Sequence, residues 1–302
     1  MKKKILCLMA GISLISNAFG ISHIEATQAV HKVHLKLSNG ATYFGEVKNG
    51  KPNGAGTMKW GANKSYSGSW INGQRSGFGI YRVTDYSNAT TNEEGKLVNV
   101  EITLYKGYWS NDRQNGNGIL KTVLTSDDVN ITNVYKGKFV NNSFKTGYSL
   151  FSSYLGDYFS YTDEQKVIQF SVYSHNDAQK LSSSNLKNGE IASLSYYNKI
   201  KNGYFQGFHV GSEGSASSFS EGTYKSLSSE NTTDYRLHTG TIYHYDADEF
   251  YTATKYKNGN KISTSQVSNI DQFYQLYNNM INKNKDVLKP HIKSFSSLLL
   301  EL

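Results

Sequence analysis

Metal binding is the first chemistry that the residue types raise. His31 and His34 stand three apart, and Asp246, Asp248 and Glu249 form an acidic group of the kind that holds calcium. Neither carries far. On a strand, residues three apart point to opposite faces, and the acidic group reads as a solvated hairpin turn, as does Asp127-Asp128. No Gly-x-Ser-x-Gly elbow, His-Glu-x-x-His helix or Walker loop occurs in the 302 residues. The expectation is no catalytic residue, no metal site and no cofactor. What remains is a set of basic side chains beside turn-like segments, Lys48, Lys51, Arg75, Lys106, Arg113 and Lys136, which could meet phosphate.

The elements that must position those side chains are strands. The chain holds 27 glycines and 23 tyrosines but only 2 prolines, a mixture that favours strands joined by glycine turns. At 19 % charged and 37 % hydrophobic, the composition does not point to disorder. Residues 1–20, "MKKKILCLMAGISLISNAFG", read as a signal peptide: a lysine head, an apolar run and small residues before a cut. The expected location is therefore periplasmic, secreted or cell-surface, with an uncleaved anchor as the alternative. Cys7 is the only cysteine, so removal of the leader leaves no thiol and no disulfide. It also takes three lysines, and the net charge falls from +8 to about +5. That mild excess permits contact with anionic lipid or cell-wall polymer without requiring it.

The strands come in repeats. Tyr43, Gly45, Gly54 and Gly56 return as Tyr66, Gly68, Gly77 and Gly79, and as Tyr105, Gly107, Gly116 and Gly118. Val47, Trp70 and Trp109 fill the position two after the first glycine, and Asn-Gly or Asn-Asp follows. Tyr135, Gly137 and Phe139 open a fourth unit that keeps only the first half of the pattern. The shared pattern, Y-x-G-x-(aromatic or Val)-x-N-(G/D)-x-x-x-G-x-G, resembles the MORN repeat family. The resemblance is strong over 43–148 and weak over 190–262. Tyr43 to Tyr66 is 23 residues, the family's unit length, whereas the next steps of 39 and 30 residues carry insertions. The insertions keep period-two alternation, as in Val98, Val100, Ile102 and Leu104, which predicts longer hairpins.

Alternate strand residues share a face, so each glycine sits between two rings. The expectation is that the glycine makes room for an aromatic from a neighbouring unit, and that stacked hairpins bury the rings together. The second glycine pair should likewise clear a face for the next ring.

The predicted organisation is all-β, an elongated antiparallel sheet of stacked hairpins with a C-terminal helical cap. Its parts are a leader (1–20), a linker (21–32), the repeat array (33–155), a degenerate repeat-like region (156–262) and a helix and tail (263–302). "GSEGSASSFSEG" at 211–222 reads as a loop by composition. Ile270, Phe273, Tyr277, Met280 and Ile281 mark an amphipathic helix, with Ser268 as its cap and Pro290 ending it or starting a second one. The helix is expected to cover the open end of the stack.

The leader implies an exported, bacterial-type protein, and the resemblance implies a scaffold that binds a protein partner or an acidic phospholipid surface; neither an enzyme nor a nucleic-acid partner is expected. Some members of the family carry a catalytic domain, whose motifs do not occur here. One alternative is binding of cell-wall glycan through exposed aromatics such as Trp60, Trp70 and Trp109. Another is an enzyme with an unrecognised site in 150–262. An outer-membrane barrel fits alternation and export but not the helical tail. The oligomeric state is not readable.

Overall fold

The computed structural model describes residues 32–172, 191–213, 216–227, 235–245 and 251–301. The leader, Cys7, His31 and the group Asp246, Asp248 and Glu249 lie outside the described residues. Among those described, 17 strands form one antiparallel sheet. Its repeat half holds β1 (Lys32–Lys36), β2 (Thr42–Lys48), β3 (Lys51–Lys59), β4 (Lys64–Ile71) and β5 (Gln74–Asp85). After a side ladder of β6 (Thr90–Thr91) and β7 (Leu97–Val98) come β8 (Glu101–Ser110), β9 (Arg113–Leu124), β10 (Ile131–Val140) and β11 (Ser143–Ser153). The second half holds β12 (Gly156–Thr162), β13 (Lys166–Val172), β14 (Ile191–Lys201), β15 (Tyr204–Glu213) and β16 (Ala216–Ser226). β17 (Tyr235–Tyr245), β18 (Tyr251–Lys257) and β19 (Asn260–Gln266) complete it.

Every main-sheet strand pairs with the next one along the chain. The segment 211–222, expected as a loop, lies largely within β15 and β16. Serine and glycine hid the alternation there, because small residues carry little hydrophobic signal.

The tight turns lie along one edge of the sheet. Asn49-Gly50, Asn72-Gly73, Asn111-Asp112 and Asn141-Asn142 all hold positive φ at both residues. This is the geometry that matches the twist of a two-residue hairpin. Each later turn also donates an N–H to the preceding unit: Gly73 to Pro52 O (2.8 Å), Asp112 to Arg75 O (3.1 Å) and Asn142 to Gln114 O (3.0 Å).

The glycines form a line across the strands: Gly45, Gly56, Gly68, Gly79, Gly107, Gly118, Gly137 and Gly147 are successive cross-strand partners. Their occupants differ from expectation. The ring over each pair belongs to the same unit, not to a neighbour. Tyr43 lies over Gly45 and Gly56, Tyr66 over Gly68 and Gly79, and Tyr105 over Gly107 and Gly118. A Cβ at Gly79 would overlap the Tyr66 hydroxyl.

The reason is a bulge. Each first strand slips register after its glycine, and a carbonyl near the bulge accepts the tyrosine hydroxyl: Glu46 O at 2.7 Å, Ser69 O at 3.1 Å and Tyr108 O at 3.1 Å. A buried hydroxyl with a partner holds its ring in place. The first glycine of each later pair has another task, with positive φ at Gly54 (98°), Gly77 (62°) and Gly116 (113°).

Neighbouring units meet through the next aromatic. Trp70 stands edge-on to Tyr43 at 5.7 Å, Trp109 to Tyr66 at 5.4 Å and Phe139 to Tyr105 at 5.2 Å. In the fourth unit, added bulk at Gly137 would meet the Thr146 carbonyl rather than a ring, and Tyr135 packs on Phe144 instead.

The helix is also arranged differently. A single helix, α1 (Ile270–Leu299), runs through Pro290. Asn269, not Ser268, caps it, its side chain accepting from Gln272 N at 2.9 Å. Pro290 is exposed, so the carbonyl deprived of its helical donor can turn to water. α1 lies across the sheet and does not close its end: β19 is exposed throughout. Phe273 meets Phe219 of β16 at 5.1 Å, Phe295 meets Phe170 of β13 at 4.5 Å, and Lys121 of β9 donates to Glu301 O at 2.7 Å. At 1.5 Å per residue the 30-residue helix is about 45 Å long. That matches about nine strand spacings of about 4.8 Å.

The two supports lie on opposite faces. On β10, Tyr135 belongs to the ring cluster, and its neighbour Val134 to the cluster under α1.

Candidate binding surfaces

Three of the basic candidates stand on the turn edge, where Lys48, Lys51 and Arg113 are exposed. Lys106 and Lys136 alternate with Tyr105 and Tyr135 and so point to the helix face. Arg75 is already engaged. Its Nε donates to Asp112 Oδ1 at 3.0 Å, its Nη2 to Asp112 O at 2.9 Å, and its guanidinium lies 4.2 Å from the Trp109 ring. The six do not converge on one patch, and Arg75 serves as a staple between two units.

Of the tryptophans that the glycan alternative needs exposed, Trp70 and Trp109 are buried and Trp60 is half-buried. The tyrosines beside them are held un-ionised: burial pushes Tyr66 and Tyr105 up to about 12 and raises Tyr43 as well. The ring face of the repeat half is thus filled by its own side chains. His34 lies on the other face against Phe44, ring centroids 4.4 Å apart. Among the described residues no group of three or more His, Cys, Asp or Glu could hold a metal ion, and no helix is long and apolar enough to cross a membrane.

The helix face is different in the repeat half, because α1 reaches only as far as β9. Phe44 (45 % exposed), Phe78 (45 %), Ile80 (39 %) and Tyr108 (51 %) stand open there. Phe78 and Tyr108 are cross-strand partners with ring centroids 5.7 Å apart, and Ile80 is paired with Lys106. Exposed Arg82 lies on the same strand and face. Apolar side chains ringed by cations on a stiff sheet make an adhesive surface. Sequence reasoning missed these residues because Phe44, Phe78 and Tyr108 occupy the unconstrained x positions of Y-x-G-x-W and G-x-G, and Ile80 follows just after the second pattern. The signal was available: in a strand, the positions between constrained inward residues are the outward ones.

The family model for the MORN repeat matches residues 43–63, 66–87 and 105–122. MORN repeats are thus detected in these three segments. Those segments are the three units in which a tyrosine lies over its own glycine pair. MORN repeat-containing protein 3 of Xenopus laevis is 44 % identical over 81 residues, 26 % of this chain and 30 % of that protein. Human Alsin is 31 % identical over 124 residues, covering 37 % of this chain and 7 % of Alsin. Mouse ALS2 C-terminal-like protein is 33 % identical over 94 residues, 27 % of this chain and 10 % of its own length. The chain thus spans under a third of each of these relatives. All are eukaryotic proteins, and they lend no support to the bacterial character expected from the leader.

Proposed function

We propose that this chain is an exported, non-enzymatic MORN scaffold that docks an acidic protein partner on the open helix face of its repeat half. The observation that carries the reading is the set Phe44, Phe78, Ile80 and Tyr108, exposed on a sheet whose other face is locked by rings. Lys106 and Arg82 beside them favour an acidic partner. An acidic phospholipid surface is the second reading. It rests on Lys48, Lys51 and Arg113, which stand exposed along one edge. Export rests on the leader sequence alone.

The test is photo-crosslinking in the native cell from position 108, with position 113 on the turn edge as comparison. Docking on the face predicts a protein adduct from 108 that Phe78→Ser abolishes. Adducts from 113 alone, together with salt-sensitive binding to anionic vesicles, would favour the lipid reading. Fractionation with an antibody checks export.

A further inference from the structure

The row of residues that carries Tyr43, Tyr66 and Tyr105 does not stop at the last repeat. Tyr135 pairs with Ser149, and the row continues through Ser160, Gln169, Ser195, His209 and Ser220. The chain thus replaces a line of rings by a line of small polar groups on the same face. Rings cover the face only in part, through the cluster of Tyr197, Tyr224 and Leu237, where Tyr224 meets the Ser220 hydroxyl at 2.8 Å; beside that cluster the face is hollow. These residues line a cavity of about 780 Å³, well within the range of small-molecule sites.

The floor is built, not incidental. Ser195 and Ser220 are each 5 % exposed and Ser171 is 7 % exposed. Hydroxyls pair across strands: Ser149 with Ser160 at 2.6 Å, Ser171 with Ser193 at 2.9 Å, and Ser195 with His209 Nδ1 at 2.7 Å. A hydroxyl pair consumes one proton in its mutual bond. The second proton and several lone pairs remain for a ligand. Burial holds His209 below its ordinary value, so its imidazole is neutral at pH 7.

Aromatic groups stand around this floor. Phe151 and Tyr158 are 38 % and 44 % exposed and 5.9 Å apart, while Tyr197 and Tyr235 are 4.2 Å apart. Among the described residues, Arg236 is the only charged one in the lining. A second cavity of about 840 Å³ shares Tyr135, Ser149, Ser160, Gln169 and Tyr235. Its charged lining among the described residues is Lys145, Lys199, Asp163 and Glu164, which sum to no net charge.

A ligand suited to this lining must be neutral, rich in hydroxyls that both donate and accept, and apolar on its ring faces. It must also be extended, to follow both cavities. A neutral oligosaccharide has all four properties. Ser195 and His209 are not arranged as a nucleophile and base acting on a carbonyl. Ser195 sits mid-strand between β13 and β15, where paired backbone N–H groups serve the ladders and leave no oxyanion pocket.

We propose that the polar trough on the ring face of β10–β17 binds a neutral oligosaccharide. This site lies on the other face and in the other half from the docking surface, so the two readings fail separately.

The experiment is calorimetric titration of the full chain with cellotriose, maltotriose and triacetylchitotriose, with inorganic phosphate as the charged comparison. At least one trisaccharide should saturate at millimolar concentration. Ser160→Ala with Ser195→Ala should weaken it about tenfold, and Phe78→Ser should leave it unchanged. Phe151→Ser and Tyr158→Ser, both on exposed rings, should weaken it in a chain that keeps its fold. Absence of binding by all three sugars overturns the proposal. So does sugar binding indifferent to every trough variant, or binding of phosphate alone.

Discussion

One face of one sheet is treated in two ways. Along β2–β9 a row of large residues fills the ring face, and the tyrosines are seated on glycines of their own hairpins. Along β11–β16 the same row carries serines, a glutamine and a histidine, and the face is hollow beside a small cluster of Tyr197, Tyr224 and Leu237. The support then moves to the other side, where α1 crosses the strands and buries Phe159, Phe170 and Phe219. An open sheet needs one face covered to be stable, and each half satisfies this with a different face. The face each half leaves free is therefore available for binding: apolar and cationic in the first half, hydroxylic in the second.

The comparison breaks most sharply at the glycines. Gly79→Val should destabilise the chain by about 4 kcal/mol in urea unfolding, because the new side chain collides with Tyr66. Gly211→Ala in the second half should cost about 1 kcal/mol or less, since the one tight contact of its Cβ would be with His209 Nε2 at 3.1 Å. Trp70→Ala comes next, at about 3 kcal/mol. It removes the edge contacts to Tyr43 and Tyr66 and the Nε1 bond to Gly56 O at 3.0 Å. Tyr66→Phe should cost about 1 kcal/mol, the worth of its bond to Ser69 O.

The smallest effect is in pH. Burial lowers His209 from 6.5, so the folded chain binds fewer protons than the unfolded chain just below that pH. Its contribution is complete above about 6.5 and is lost as pH falls through the folded value. His291 of α1 is lowered too, again chiefly by burial, so the two effects add. The thermal midpoint should decline from about pH 7 to about pH 5, and His209→Gln should flatten that decline.

Much of the repeat half was legible in the sequence, because glycine and tyrosine at fixed offsets leave few ways to fold. The turns, the sheet and the insertion hairpins follow from Asn-Gly pairs and period-two alternation. What periodicity does not carry is which ring enters which socket. That depends on the bulges at Glu46, Ser69 and Tyr108, which turn each tyrosine back onto its own unit. The trough was illegible for a related reason: Ser217, Ser218 and Ser220 look like loop composition, yet β16 places Ser220 on the trough floor. α1 continues through Pro290 where that residue is exposed, a setting that residue type alone does not report.

The division of support can be tested by amide hydrogen exchange on the full chain carrying Phe295→Asp, which puts a charge where Phe295 is fully buried. Loss of protection confined to β11–β18, with β2–β8 exchanging as slowly as before, is the predicted result. Equal loss across both halves would contradict the account, for it would mean that the rings over the glycines do not hold the repeat half by themselves.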